Sequence, residues 1–341
     1  MRDILSECVF EILPPAPDER LKAAHGEATG ERHSRYLADW RCLQTIELAP
    51  PPAAFSNPSE MKIAAWNMER CKRVEDSADL LRRAGVDIVL ATEMDYGMAR
   101  SGQRHTTRDL ARLLGFGYVY GVEFVELGTG DTYETRLFSD VANLAGLHGN
   151  AILSRFPLHR PRVIPLDDQG QWFTGSPKSD GQRRVGGRMA IAADVEVGPA
   201  PITLVAVHFE SESDAQERLQ QAETMLSALR RVYGPAPMII GGDLNTADLA
   251  GRSVFSCLNK PQIWEPCFGA FEADGFGWKT ANNGEPTTRS APGKPVEYPL
   301  KRLDWLFVRG LDSLEPMTVP AISSHGDYLS DHELVTARFM P

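Results

Sequence analysis

Long apolar runs, paired cysteines and an excess of positive charge are what this 341-residue sequence lacks. No apolar stretch approaches the roughly 18 residues a membrane-spanning helix needs, so stable membrane insertion is not expected. The five cysteines, Cys8, Cys42, Cys71, Cys257 and Cys267, are widely spaced and form no C-x-x-C pair. Neither a disulfide framework nor a zinc knuckle is indicated, and we expect reduced thiols in a cytoplasmic protein. Met1 to Glu7 lack the basic start and apolar core of a secretory signal. Lys and Arg number 36 against 46 Asp and Glu, a net charge of −10. Such a balance argues against broad, sequence-blind affinity for nucleic acid, which depends on neutralising phosphates. A locally basic cleft on an acidic body would still be compatible with a nuclease.

What is present reads as a globular α/β chain, 42% hydrophobic and 24% charged. Residues 1–60 stand apart. Pro14, Pro15 and Pro17, then Pro50 to Pro52, bracket a charged segment carrying Tyr36, Trp40 and Leu43, which we expect to pack as an arm on the main body, residues 61–341. From Met61, strand patterns alternate with helical ones. Strands are expected at Lys62–Trp66, Val86–Ala91, Gly149–Leu153, Met189–Val197, Ile202–Val207, Met238–Ile240, Leu303–Val308 and Leu334–Phe339. Helices are expected at Ser77–Ala84, Thr107–Leu114 and Asp214–Val232. Two long loops, 165–187 and 272–301, hold basic residues: Lys178, Arg183 and Arg184, then Arg289, Lys294, Lys301 and Arg302. Loops of that length are usually functional or disordered.

The chain is organised around Met238 to Asn245. Three apolar residues lead into Gly241-Gly242, and Asp243 and Asn245 follow two positions apart. If the strand continues through Leu244, both polar side chains face the same side, at the lip of a sheet. The alternative is an Asx-type turn that only satisfies local backbone. The same device recurs at Asn67, Glu93, His208 and Asp331-His332, each placed where a strand ends or begins. Asp304 differs, lying between Leu303 and Trp305 in a sequence that predicts burial. A carboxylate there needs a partner, and His332 is the candidate: an Asp–His pair sets the ring tautomer and strengthens the histidine as a base. Two tempting motifs fail. His332-Glu333-Leu334-Val335-Thr336 lacks the second histidine of a zinc protease, and Gly186-Gly187 is not followed by a phosphate-loop lysine.

Taken in order, Trp66-Asn67, Ala91-Thr92-Glu93, His208-Phe209-Glu210-Ser211, Gly242-Asp243-Leu244-Asn245, Arg302-Leu303-Asp304-Trp305 and Ser330-Asp331-His332 resemble the endonuclease/exonuclease/phosphatase superfamily. Its members include deoxyribonuclease I, apurinic/apyrimidinic endonucleases, neutral sphingomyelinases, inositol-polyphosphate 5-phosphatases and tyrosyl-DNA phosphodiesterase. The resemblance covers roughly residues 61–341. It implies a four-layer sandwich of two mixed β-sheets flanked by helices, and phosphoester hydrolysis with bound Mg²⁺ or Mn²⁺.

Carried over residue by residue, the resemblance makes Glu93 a metal ligand, with Asn67 beside it and Asp331 as ligand or orienting group. Asp243 and Asn245 would position or activate the attacking water. His332, held by Asp304, and His208 would surround the phosphate, with Arg188 contacting it. Asn150, in the familial Gly149-Asn150-Ala151-Ile152-Leu153-Ser154, is a further substrate-side candidate. The residue types fit this chemistry, since oxygen ligands suit Mg²⁺ or Mn²⁺ better than zinc. The substrate is a phosphoester: a small molecule, a lipid headgroup or nucleic acid. We expect a phosphodiesterase; the alternatives are a DNA or RNA endonuclease and a non-catalytic binding module. A basic groove built from the two long loops would favour nucleic acid, and a deep, partly apolar pocket a small molecule.

Overall fold

The computed structural model describes residues 2–53, 58–167, 169–175, 182–198, 200–292, 296 and 298–340. Two β-sheets lie face to face. The larger is built around β3 (Met61–Arg70) and β4 (Ile88–Tyr96), which run parallel. On the β4 side it continues through β6 (Leu147–Ser154), β5 (Gly117–Glu126), β2 (Ile46–Ala49) and β1 (Cys8–Val9). On the other side stand β14 (Leu334–Met340) and β13 (Asp312–Val319), and β8 (Arg184–Gly186) pairs with β5. The smaller sheet has the order β12 (Asp304–Arg309), β11 (Met238–Asp243), β10 (Pro201–His208), β9 (Met189–Glu196) and β7 (Leu158–Pro165).

Side-chain alternation assigns each strand residue to a layer. Ile63, Ala65, Ile88, Leu90, Leu204, Ala206, Ile239 and Leu306 fill the space between the sheets. Ala64, Trp66 and Val89 face the other way, against helices Val74–Ala84 and Thr106–Leu114. Val205, Val207, Met238 and Ile240 pack against helices Ala215–Tyr233 and Cys267–Ala273. The result is helix, sheet, sheet, helix: two mixed sheets flanked by helices. The parity that places residues 204, 206 and 239 between the sheets also carries His208 and Asp243 to the open end of that gap. Asp304, two residues before Leu306, reaches it from β12.

The two glycines of β11 have separate causes. A Cβ on Gly241 would sit 2.8 Å from Leu306 on the neighbouring strand and 2.8 Å from Leu90 on the opposing sheet, so packed side chains, not a ligand, take the space there. Gly242 has φ +145° and a Cβ would meet the Val207 carbonyl oxygen at 1.9 Å.

Several elements depart from the sequence reading. The sheet does not stop at residue 61, because β2 pairs with β5 and the Leu5 amide donates to the Val163 carbonyl in β7 at 2.9 Å. β5 gave no strand signal because it contains Glu123 and Glu126, yet all ten residues are buried. The 165–187 segment is not a free loop. It contains the short helix Gln171–Thr174 and β8, and its arginines turn inward. Arg184 Nε meets Glu126 at 3.0 Å, and Arg183 lies 4.3 Å over the Phe173 ring. Lys178 and Lys294 lie outside the described residues. No helix among the described residues is long and apolar enough to cross a membrane. All five cysteines are free.

Candidate active site

Two backbone irregularities shape the open end of the gap between the sheets. Between the pairs Asn67–Thr92 and Arg70–Met94, β3 spends three residues where β4 spends two. Against β6, β4 spends three residues between Ala91 and Met94 where β6 spends two. Glu93 sits at this double bulge with φ 56°, and Glu69, Arg70 and Cys71 are also left-handed. Bulges re-aim side chains. Here they bring Glu93 beside Asn67, whose Nδ2 donates to Glu93 Oε1 at 3.1 Å and to Asp243 Oδ2 at 3.1 Å.

Asp243 is the centre of the cluster. Its Oδ2 lies 3.5 Å from His208 Nε2 and 3.7 Å from His332 Nε2. Its Oδ1 accepts the Asn245 amide at 2.9 Å. The strand ends at Asp243, and Asn245 adopts φ 50°, so the extended path through Leu244 is not followed. The Asx-type turn forms instead, because Asp243 Oδ1 captures the amide two residues on. Asn245 still faces the neighbouring strand end, where its Nδ2 donates to the Phe209 carbonyl at 2.9 Å.

His332 Nδ1 lies 2.7 Å from Asp304 Oδ2, both side chains being buried. Burial opposes the imidazolium, but the Asp304 and Asp243 carboxylates overcome it and hold the His332 pKa well above the usual histidine value. The approach to His332 is clamped. Trp66 Nε1 donates to its carbonyl at 2.9 Å, and the Ser330 hydroxyl accepts the His332 amide at 3.0 Å while donating to the Asn67 carbonyl at 2.7 Å. Behind Asp304, the Thr287 hydroxyl accepts the amides of Leu303 and Asp304 at 2.9 and 3.1 Å.

His208 has the opposite environment. Burial, then the adjacent Arg188 guanidinium, push its pKa down to about 3. Arg188 Nη1 lies 3.0 Å from His208 Nδ1. A guanidinium only donates, so Nδ1 is the acceptor and Nε2, facing Asp243, carries the proton. Arg188 is held by Glu210 at 3.3 Å and Glu123 at 3.4 Å. It therefore meets His208 directly, with its guanidinium committed to buried carboxylates. Burial raises the Glu123 pKa; it would raise that of Glu210 too, but Arg188 and Trp172 bring Glu210 down to about 2.

Asn67, expected beside Glu93 at a metal, presents its nitrogen to both carboxylates, while its Oδ1 accepts the Glu69 amide at 3.1 Å. Turning the amide over would set oxygen against two carboxylates and nitrogen against an N–H, so the orientation is fixed. Asn150 stands apart. It is buried in β6 and donates to the Met189 carbonyl at 3.2 Å, with no hydrogen bond to the cluster among the described residues. Asp331 lines a cleft of about 390 Å³ together with His332, Arg70, Lys301, Tyr328 and Leu303.

The donor set can be tested against a divalent ion. Burial raises the Asp331 pKa, and Glu69 and Glu93 raise it further, although His332 opposes them. Acidic oxygens crowded in this way suit a hard, oxygen-preferring cation. Asp243, Asp304 and His332 also cluster within 4.8 Å, but there Nδ1 of His332 already serves Asp304. In that group the Asp304–His332 hydrogen bond occupies Nδ1, whereas Glu93 and Asp331 offer oxygen donors alone.

Sequence reading missed Arg70, Glu123 and Glu210. Arg70 Nη1 lies 3.0 Å from Glu93 Oε2 and holds the Glu93 carboxyl, despite its burial, well below the usual range together with His208, His148 and Asn67. Glu123 could have been suspected from its isolation within an apolar run, and Glu210 only from its place in the motif His208-Phe209-Glu210-Ser211.

A model of the Endonuclease/Exonuclease/phosphatase family matches residues 64–332. Among solved structures, the chain is similar to an endonuclease/exonuclease/phosphatase from Beutenbergia cavernae at 19% identity and TM-score 0.57, over 83% of this chain and 72% of that one. A Bacteroides vulgatus protein of the same description gives 16% identity and TM-score 0.55, over 83% and 99%. The human Nocturnin catalytic domain, solved with a bound sulfate anion, gives 17% and 0.53, over 85% and 99%. At such identities the likeness shows the fold alone. No curated protein matches significantly.

Proposed function

The chain belongs to the endonuclease/exonuclease/phosphatase family, and from that premise we propose that it is a divalent-metal-dependent phosphodiesterase acting on a small phosphoester. The observation that carries this reading is the opposed state of two histidines across one carboxylate. His332 is held as an imidazolium by Asp304, and His208 is held neutral with Nε2–H toward Asp243. A phosphodiester needs three services from such a site: removal of a proton from water, donors for the phosphoryl oxygens, and a proton for the leaving oxygen.

Asp243 takes the water's proton, with the side-chain oxygen of Asn245 orienting that water. The Nε2–H of His208 donates to a non-bridging oxygen, and the imidazolium of His332 delivers its Nε2 proton to the leaving group. Arg188 fixes the His208 tautomer, and Asn67 keeps Glu93 and Asp243 in register. Glu93 and Asp331 are the residues that would hold Mg²⁺ or Mn²⁺, which supplies Lewis-acid neutralisation of the phosphoryl charge.

The choice of a small substrate rests on the cleft. It is about 390 Å³, of mixed polar and apolar lining. Of the basic residues on the two long loops, Arg183 and Arg184 are turned into the protein, while Arg289 and Lys301 line the cleft, balanced there by Glu69, Asp131 and Asp331. The test is an assay with Mg²⁺ or Mn²⁺ against bis-p-nitrophenyl phosphate, the corresponding monoester, plasmid DNA and choline phospholipids. Turnover of the diester, lost in Glu93→Gln, is expected. Cleavage of plasmid DNA alone would overturn the small-substrate reading, and inactivity on every phosphoester would overturn the whole assignment.

A further inference from the structure

Glu69, Arg70 and Cys71 are consecutive, none is glycine, and their φ values are 43°, 70° and 50°. L-residues visit the left-handed region singly as a rule, because Cβ crowds the following carbonyl. A run of three is costly, and what it achieves is visible. It takes Arg70 out of the alternation of β3 and lays its guanidinium in the cleft wall with Asp331 and His332.

The side chain is anchored from behind. Glu134 Oε1 lies 3.6 Å from Arg70 Nε, and Glu134 is itself gripped by Arg100 at 3.2 Å. In front, Arg70 Nη1 occupies Glu93 Oε2 at 3.0 Å, while Asn67 takes Oε1. Among the described residues no hydrogen bond reaches Nη2. A cation is thus already built against the acid that the phosphoester reading assigns to the metal, in the wall of the cleft and with donors to spare.

We propose that Arg70 is a resident cation of the phosphate pocket: it competes with the divalent ion for Glu93 and donates to a non-bridging oxygen of the bound phosphate. The inference rests on the phosphoester reading of this cleft, but it makes a claim that reading does not. An arginine that merely propped up Glu93 would help the metal bind. A competing arginine hinders it, because the carboxylate is shared and like charges repel.

The experiment titrates Mn²⁺ into wild type, Arg70→Met and Arg70→Lys by calorimetry, and measures kcat and KM on bis-p-nitrophenyl phosphate for each. Arg70→Met should bind Mn²⁺ at least about tenfold tighter, since a fixed positive charge within a few ångströms is removed. The same variant should lose at least about tenfold in kcat/KM through loss of a charged donor to the phosphate. Arg70→Lys, which keeps the charge, should stay within about threefold of wild type in Mn²⁺ affinity. Should Arg70→Met fail to fold, Arg70→Gln replaces it with a neutral side chain that can still hydrogen-bond.

Unchanged or weaker Mn²⁺ binding in the neutral variants, with wild type binding metal and turning over the diester, would overturn the inference and leave the function standing. Binding by the neutral variants but not by wild type would support the inference and overturn the metal dependence of the native enzyme. Binding by none of them would overturn both.

Discussion

Nδ1 of His332 lies 2.7 Å from Oδ2 of Asp304, residues that are buried at the mouth of the gap between the two sheets. The bond points the other ring nitrogen at Asp243 and keeps the ring charged. Asp304→Asn should leave the fold intact, because volume is conserved, and lower turnover at least about a hundredfold through loss of orientation and charge. Asp304→Ala should in addition cost about 1–3 kcal/mol of stability by leaving the ring donor unpaired. Steady-state kinetics and urea denaturation of both variants check this. Near-normal turnover in Asp304→Asn would remove His332 from the proposed chemistry.

Arg188→Met leaves Glu123 and Glu210 buried without their cation. Breaking such a pair by removing one partner typically costs about 3–5 kcal/mol. A fall of that order in chemical denaturation is expected. A loss below about 1 kcal/mol would mean that the carboxylates are rescued by protonation or by water.

Glu210 introduces a pH dependence. Its carboxyl is brought from the ordinary glutamate value of 4.5 to about 2, against its burial, by Arg188 and Trp172. A depressed carboxylate contributes stability that is fully present above the unfolded value and is lost as pH falls through the folded one. The window is therefore pH 4.5 down to about 2, and the contribution is on the order of 3 kcal/mol. Glu210→Gln should remove that part of the acid limb. Parallel stability–pH curves for wild type and variant across the window would contradict the assignment.

Gly242→Ala forces a Cβ onto the Val207 carbonyl oxygen at a backbone angle of φ +145°. Such a position admits essentially only glycine, and we expect at least about 2 kcal/mol of destabilisation together with displacement of Asp243. Thermal unfolding and turnover should fall together. A variant with wild-type melting would show that β11 can shift without cost.

The layered core is written into the sequence. Apolar runs such as Ile202–Val207 and Met238–Ile240, bounded by breakers, imply strands buried on both faces, and sandwiching such strands between amphipathic helices leaves few arrangements. The Asp304–His332 contact was legible for a related reason. A carboxylate inside an apolar run must find a partner, and few candidates could supply one.

What sequence could not supply depends on register and on partners far along the chain. The double bulge that turns Glu93 and Arg70 into the cleft exists only because β3, β4 and β6 are offset by one residue at the same place. The acids of β5 acquire partners only when Arg188 and Arg184, some sixty residues later, are brought against them. Asn67 offers oxygen or nitrogen equally well on paper, and only the Glu69 amide on one side and two carboxylates on the other decide which. Apolar burial is additive and local, so a linear pattern records it. The pairing of buried charges is a property of who meets whom, and that is settled only when the two sheets close on each other.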